Sequence, residues 1–140
     1  MTCVVDASVA LKWFVDEEGS LQARSLVASG TDLIAPELVV AEVCNAAWRL
    51  VRVNVLPAGE EIRIAHRIGL AFSRLWALDG LAPLAAGMAR DLQHPVYDCF
   101  YLALAEREMC RVVTADRRFV ERVAGSSWQD RIVHLEAFTA

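Results

Sequence analysis

Short apolar runs alternate along the chain with longer segments whose apolar residues recur every three or four positions. The short runs predict strands at residues 2–5, 33–35, 111–114 and 131–135. The longer segments predict helices at residues 8–14, 20–29, 37–53, 60–75, 83–92 and 97–109, and a short helix that opens at 116 and runs to 123. Because neighbouring parallel strands need long crossover connections, this alternation predicts a short parallel sheet with helices on both faces, a three-layer α/β/α sandwich.

Capping and turn residues mark several of the predicted ends. Ser8 stands where an N-cap would open the first helix, Gly30 stands at the C′ position of the second, and Pro36 suits the first turn of the third. The segment 37–53 is apolar on nearly all sides, which predicts a mostly buried helix. The segment 60–75 is amphipathic, with arginines at 63, 67 and 74 on one stripe.

Composition narrows the class of protein. The 140 residues contain no repeat, low-complexity tract or linker, which predicts one domain over residues 1–140. Hydrophobic residues make up 56% of the chain, which excludes disorder and predicts that some apolar surface is buried in a homodimer or against another partner. The longest uncharged stretch has ten residues, against the ~20 of a membrane-spanning helix. With no secretion leader in the first dozen residues, we expect a cytoplasmic protein.

Four acidic residues occupy positions that suit a shared site. Asp6 ends the first strand and Asp116 follows the strand at 111–114, so both lie at the carboxyl edge of a parallel sheet, where ligands bind. Glu42 and Asp98 stand in apolar helical segments, where an unpaired carboxylate is costly. Several carboxylates without His or Cys ligands favour a hard cation such as Mg²⁺ or Mn²⁺. The alternative is that Asp6 and Asp98 cap helices while Glu42 and Asp116 are solvated.

The net charge of −4 matches these four acids, since the remaining acids and bases balance. Such a balance argues against a long basic groove for nucleic acid. Candidate phosphate contacts are therefore local, and each of them could instead be solvated or paired with an acid. They are Lys12, Arg49, Arg52, Arg117 and Arg118.

Other chemistries find little support in the sequence. The four cysteines show no CxxC or disulfide-like spacing and are interpreted as small apolar side chains. The three histidines are scattered and are interpreted as core or surface residues. Neither phosphate-loop motif nor a GxSxG elbow is present. An aspartate after the first strand would also suit a haloacid dehalogenase-like phosphatase, but the second acid expected two residues on is Ser8 here.

Four ordered motifs together resemble the PIN-domain family, in particular the VapC-type toxins of toxin–antitoxin pairs. They are VVDASV at 4–9, PELVVAEV at 36–43, YDCFYLALA at 97–105 and VTADRRF at 113–119. The resemblance implies an endoribonuclease that depends on Mg²⁺ or Mn²⁺, is usually a homodimer and is inhibited by a small antitoxin. It implies products with a 5′-phosphate and a 3′-hydroxyl.

The same resemblance assigns roles to individual residues. Asp6, Glu42, Asp98 and Asp116 match the family's metal-binding acids, with Ser8 and Thr114 as supporting hydroxyls. The arginine stripe and the apolar excess of the two long helices would then suit a dimer or antitoxin surface. The alternative from another class is a catalytically silent PIN-like domain that serves as a binding module.

Overall fold

A five-stranded parallel sheet lies at the centre of the computed structural model, which describes residues 1–139. The three central strands are buried on both faces, and helices flank the sheet, as predicted. Along the sheet the order is β3-β2-β1-β4-β5. The strands are β1 (Thr2–Val5), β2 (Asp32–Pro36), β3 (Arg74–Trp76), β4 (Arg111–Thr114) and β5 (Ile132–His134).

Seven α-helices and three short 3₁₀ turns connect these strands within the described residues. The helices are α1 (Ala7–Leu11), α2 (Ser20–Ala28), α3 (Leu38–Arg52), α4 (Glu60–Arg67), α5 (Ala82–Leu92), α6 (Val96–Arg107) and α7 (Arg117–Val123). The 3₁₀ turns are Ile68–Ala71, Gln129–Arg131 and Leu135–Ala137.

The register of the central strands determines which residues meet at the carboxyl edge. Val5 of β1 lies beside Val113 of β4, so Asp6 and Thr114, the next residue of each strand, come together. Successive side chains of a strand point to opposite faces, and Cys3, Val4 and Val5 are all buried, so helices cover both faces of β1.

Helix α6 is the most deeply buried helix of the sandwich. It packs against β1, β2 and β4, and an unbroken run from Tyr101 to Ala105 is almost fully inaccessible to solvent. Since a helix apolar on all sides belongs in a core, its sequence pattern and its position agree. This helix therefore holds its first turn, which carries Asp98, rigidly against the sheet.

The N-cap of the first helix lies two residues earlier than predicted. Asp6, not Ser8, is the N-cap, because its Oδ1 accepts a hydrogen bond of 3.2 Å from the backbone N–H of Val9. Helix α1 ends at Leu11, short of the predicted end at residue 14. The prediction that Gly30 follows the second helix at C′ is confirmed, and its φ of 77° is the left-handed conformation that glycine adopts readily.

Pro36 ends β2 and does not enter a helix. It lies in register with Trp76 of β3, and its fixed φ is compatible with this extended position at a strand end. The following helix, α3, was predicted to be mostly buried, which is wrong for this chain. Val39, Val43 and Ala47 form its buried stripe, while Trp48 is 48% exposed.

The predicted helix at 60–75 is wrong in its second half. Helix α4 ends at Arg67, a 3₁₀ turn follows, and Arg74 opens the edge strand β3, which pairs with β2. The apolar spacing of this segment fits a helix locally, but pairing with β2 provides backbone partners that a single sequence does not reveal. Arg74 is thereby separated from the stripe of Arg63 and Arg67, and its guanidinium lies 3.7 Å from the centre of the Trp76 ring.

Two further expectations concern the whole chain. Within residues 1–139, no helix is long and apolar enough to cross a membrane. The four cysteines are free thiols, two of them buried and two half-buried, as expected for small apolar side chains.

Candidate active site

Asp6 lies at the centre of a hydrogen-bond network at the carboxyl end of β1. Its side chain is 4% exposed. Oδ1 accepts from the Ser8 hydroxyl at 2.6 Å and from the Val9 N–H, and Oδ2 accepts from the Thr114 hydroxyl. Three donors therefore orient one buried carboxylate and partly offset the cost of removing it from water.

The two hydroxyl groups also connect Asp6 to the loop that follows β4. Ser8 Oγ accepts a hydrogen bond from the backbone N–H of Ala115 at 2.9 Å, and Thr114 Oγ1 accepts one from the N–H of Asp116 at 3.1 Å. Ser8 and Thr114 thus join β1, α1 and β4 at one edge of the sheet. The predicted supporting hydroxyls lie beside the predicted acid.

Asp116 is the N-cap of α7. Its Oδ1 accepts from the backbone N–H of Arg118 at 2.9 Å and of Phe119 at 3.4 Å. The capping role that the sequence left open for Asp6 and Asp98 thus applies to Asp6 and Asp116. One carboxylate oxygen of Asp116, Oδ2, accepts no hydrogen bond from the residues that the structure describes.

Glu42 projects from the second turn of α3 toward α6. Its Oε1 accepts a hydrogen bond of 2.6 Å from the hydroxyl of Tyr101, a side chain that is itself 1% exposed. Since Tyr101 lies three residues after Asp98 on the same helix, the bond brings Glu42 to the same side of α6 as Asp98.

Asp98 lies in the first turn of α6, where the helix dipole favours a negative charge. Its Oδ2 lies 2.6 Å from Nε2 of His94, in the loop between α5 and α6. The His94 ring stacks on Phe119 of α7, with centroids 5.1 Å apart and planes inclined by 6°. Asp98 is therefore connected through His94 to the helix that Asp116 caps.

The charges of the acids act on one another, with Asp98 at the centre. Burial raises the pKa of Asp6 to about 7, and the charge of Asp98 adds to this effect against the three hydrogen bonds. Burial also raises the pKa of Glu42, again with a contribution from Asp98. The pKa of Asp98 is raised by burial and by Asp116, in opposition to the hydrogen bond and charge of His94. Full ionisation of this group of acids is unfavourable unless a cation is close.

A cleft of about 890 Å³ opens at this edge of the molecule. Asp98 and Asp116 lie in its wall together with basic and polar side chains of α7 and of the loop before α6. The lining consists of Gln93, His94, Pro95, Asp98, Asp116, Arg118, Glu121 and Arg122. The cleft thus combines carboxylates with two guanidinium groups on one helix face.

Comparison with known proteins identifies the family to which this fold belongs. The family model of the PIN domain matches residues 3–125. The chain belongs to the PIN-domain family. The match extends from β1 to the residues just after α7, and so includes every element that carries one of the four acids.

Curated relatives of this PIN domain are ribonucleases of the VapC type. Ribonuclease VapC3 of Pyrobaculum aerophilum is 32% identical over 124 residues, which cover 87% of this chain and 95% of that protein. Ribonuclease VapC9 of Mycobacterium tuberculosis is 34% identical over 126 residues, 82% of this chain and 86% of its own. The chain is thus a homologue of VapC ribonucleases.

Solved structures share the fold of this PIN domain. A toxin–antitoxin complex from Klebsiella pneumoniae aligns with a TM-score of 0.69 at 13% identity, covering 95% of this chain and 97% of that chain. VapBC2 of Rickettsia felis, bound to a DNA fragment from its promoter, aligns with a TM-score of 0.65 at 12% identity, covering 96% and 98%. These neighbours are toxin–antitoxin assemblies.

The predicted basic residues of the PIN domain divide into three groups. Lys12 and Arg117 are occupied: Lys12 pairs with Glu17 at 3.1 Å, and Arg117 pairs with Glu136 at 2.6 Å. Arg118 lines the cleft. Arg49 and Arg52 lie in the last turn of α3, and the Arg52 guanidinium lies 5.5 Å from the centre of the Trp48 ring.

Sequence reasoning missed three polar residues around the acids. His94 was interpreted as core or surface, Tyr101 as part of an apolar helix, and Arg122 was not singled out. The signal for the first two was spacing, since His94 precedes Asp98 by four residues and Tyr101 follows it by three. Arg122 follows Arg118 by four residues, which places both on one face of α7.

The donor set of this site suits a hard divalent cation. Its acids are carboxylates whose pKa values are raised by burial and by each other, and a nearby positive charge would relieve both effects. Among residues 1–139, no three His, Cys, Asp or Glu side chains are close enough to form a complete set of ligands. Mg²⁺ commonly binds through one or two carboxylates and retains several waters, so a partial protein set fits it.

Proposed function

We propose that the protein is a Mg²⁺- or Mn²⁺-dependent endoribonuclease that hydrolyses RNA phosphodiester bonds, and that it acts as the toxin of a toxin–antitoxin pair. The observation that carries this proposal is a group of four acids, each held by hydrogen bonds, of which two line a cleft that also presents Arg118. They are Asp6, Glu42, Asp98 and Asp116. Homology to VapC ribonucleases over 87% of the chain supports the same activity.

Asp6 and Asp98 are the residues that would hold the cation, with Asp116 and Glu42 as direct or water-mediated ligands. A bound cation lowers the pKa of a coordinated water and stabilises the negative charge that develops on the phosphate. Ser8 and Thr114 orient Asp6, and Tyr101 orients Glu42 through the contacts described above. Burial raises the pKa of Asp6 to about 7, so this carboxyl group is fully ionised only above that pH.

Arg118 and Arg122 are the groups best placed to bind the RNA backbone. They line the same cleft as Asp98 and Asp116, one helical turn apart on α7. Neither forms an ion pair with an acid among the described residues, so both guanidinium groups are available for phosphate oxygens. The carboxylates alone repel a phosphodiester, and these two charges with the cation reverse that repulsion. Hydrolysis would leave a 5′-phosphate and a 3′-hydroxyl, as the family resemblance implies.

A cognate antitoxin and a second copy of the chain are the proposed protein partners. The structural neighbours are toxin–antitoxin complexes, which supports an antitoxin. Apolar side chains on and after α3 and α4 are exposed in the single chain, as a contact surface requires, including Trp48, Val53, Val55, Ile62 and Leu70. Light scattering at micromolar concentration tests self-association, and a stable monomer would contradict the homodimer.

Cleavage of end-labelled structured RNAs in Mg²⁺, Mn²⁺ or EDTA tests the catalytic proposal. We expect cuts with either metal, none in EDTA, and none with Asp98→Asn. The substitution keeps the shape of the side chain and removes its charge, so circular dichroism should show the same fold. Arg67→Gln, on the exposed face of α4, is the control and should cut like the wild type.

Calorimetric titration with Mn²⁺ separates this proposal from a silent binding module. An active nuclease binds Mn²⁺ and loses that binding with Asp98→Asn. Unchanged cutting by Asp98→Asn would overturn the site assignment. Absence of both Mn²⁺ binding and cutting in the wild type would favour the binding module.

A further inference from the structure

His94 touches an acid of the proposed site, although it was interpreted from the sequence as a core or surface residue. Its Nε2 lies 2.6 Å from Oδ2 of Asp98, and its side chain is 11% exposed. Asp98 is more accessible, at 28%. The imidazole is therefore less accessible to solvent than the acid that it contacts.

The backbone of His94 is fixed on both sides. Its N–H donates to the carbonyl of Ala89 in α5 at 3.2 Å, across Gln93, whose φ of 52° ends that helix. Pro95 follows directly and is the N-cap residue of α6, so its ring restricts the chain at this point. The residue that contacts Asp98 thus belongs to a short and well-defined connection.

The ring of His94 is fixed as well. It stacks on Phe119, with centroids 5.1 Å apart and planes inclined by 6°, and Phe119 is fully buried. A side chain that is already immobile loses little entropy when it holds a partner. His94 is therefore preorganised to donate its Nε2 proton to an ionised Asp98.

This contact leaves one oxygen of Asp98 open. Oδ2 is engaged by His94, while Oδ1 accepts no hydrogen bond from the residues that the structure describes. Asp98 lines the cleft, so a cation that enters the cleft meets a carboxylate whose orientation is already set. Groups that hydrogen-bond to metal-ligating carboxylates typically change metal affinity 10- to 100-fold when they are removed.

We propose that His94 is a positioning residue that holds Asp98 through Nε2 and so raises the affinity of the site for its divalent cation. The inference rests on the proposed function, because it assigns a role to His94 at the same metal site. The proposed role of His94 depends on one ring nitrogen and on no other property of the imidazole.

Two substitutions separate that nitrogen from the rest of the ring. In His94→Gln the amide nitrogen stands near the place of Nε2 and can still donate to Asp98. In His94→Asn the amide stands near Nδ1 and falls short of Asp98. Both variants lose the stack on Phe119, so a merely structural role of the ring would affect them equally. His66→Gln makes the same chemical change at an exposed position of α4 and is the control.

The measurement is Mn²⁺ affinity by isothermal titration calorimetry, with thermal unfolding of each variant as the check on folding. We expect His94→Asn to weaken Mn²⁺ binding about 10- to 100-fold and His94→Gln to retain most of the affinity. His66→Gln should bind like the wild type. RNA cleavage should follow the same order at limiting Mn²⁺ and converge at saturating Mn²⁺.

Equal losses in His94→Gln and His94→Asn would overturn the proposal, as would wild-type affinity in both. Failure of the wild type to bind Mn²⁺ would instead contradict the proposed function itself. The two failures are distinguishable, because the first leaves a working metal site without a role for His94 Nε2.

Discussion

The hydroxyl of Tyr101 lies 2.6 Å from Oε1 of Glu42 and joins α6 to α3 beside the acidic cluster. Tyr101 is almost completely buried, and Glu42 is half-buried. The burial of Tyr101 and the charge of Glu42 raise the pKa of Tyr101, so the phenol keeps its proton and donates it to Glu42. The orientation of Glu42 thus depends on a residue of the core helix.

Tyr101→Phe tests this dependence. The substitution preserves the ring and removes the donor, so we expect a loss of about 1–2 kcal/mol in the free energy of unfolding. The pKa of Glu42 should rise further, because the hydrogen bond from Tyr101 lowers it in the wild type. The acidic limb of the pH–rate profile for RNA cleavage should then move to higher pH. A limb at its wild-type position would show that Glu42 does not need this bond.

Thr114→Val tests the support of Asp6. Valine matches the shape of threonine, and Thr114 is fully buried, so packing is preserved while Oδ2 of Asp6 loses its donor. At pH 8, where Asp6 is ionised, we expect urea unfolding to show a loss of about 1–3 kcal/mol. At pH 5, where Asp6 carries a proton, the loss should be smaller. Equal losses at both values would mean that the lost stability comes from the other bond of this hydroxyl, which accepts from the N–H of Asp116, and not from the carboxylate.

The pH dependence of stability follows from the raised pKa of Asp6. An aspartate titrates near 3.8 in the unfolded chain and at about 7 in this site. Protonated Asp6 is tolerated in both states at low pH, so its contribution to stability is complete below pH about 3.8. The contribution is lost progressively as the pH rises to about 7, because the folded state must then accept a buried charge.

Asp6→Asn isolates this contribution in metal-free protein. Relative to the wild type, the melting temperature of the variant should increase between pH 4 and pH 8. The wild type should regain stability at pH 8 when Mn²⁺ is added, and the variant should gain less. A difference in melting temperature that is independent of pH would show that the pKa of Asp6 is not raised.

The sequence predicted those parts of the fold that depend on local signals. Apolar runs located β1, β2, β4 and β5, and the alternation with helices predicted the parallel sheet. The strand β3 was missed, because Phe72 and Trp76 fit a helical stripe equally well, and the choice between helix and strand depends on pairing with β2. Non-local pairing of this kind cannot be derived from one segment.

The site residues divide in the same way, into those that local sequence signals indicated and contacts that depend on distant parts of the chain. Position relative to predicted strands was sufficient to single out Asp6 and Asp116, and apolar surroundings drew attention to Glu42 and Asp98. Side-chain partners from other elements were not predictable, because the contact of Tyr101 with Glu42 spans 59 residues of sequence. His94 was missed for a different reason, since a single histidine beside a proline between two helices is typical of ordinary loops.

The role of Arg118 and Arg122 in RNA binding can be measured without cleavage. In an Asp98→Asn background, binding of a fluorescent single-stranded RNA is followed by anisotropy at several salt concentrations. Each phosphate contact contributes about 0.7 to the slope of log affinity against log salt for a single strand. We therefore expect Arg118→Gln and Arg122→Gln each to weaken binding and to reduce the slope by about that amount.

Arg67→Gln removes the same charge from the exposed face of α4 and should leave the slope almost unchanged. Equal effects of all three substitutions would show that RNA responds to net charge, and that the cleft face of α7 has no special part in binding.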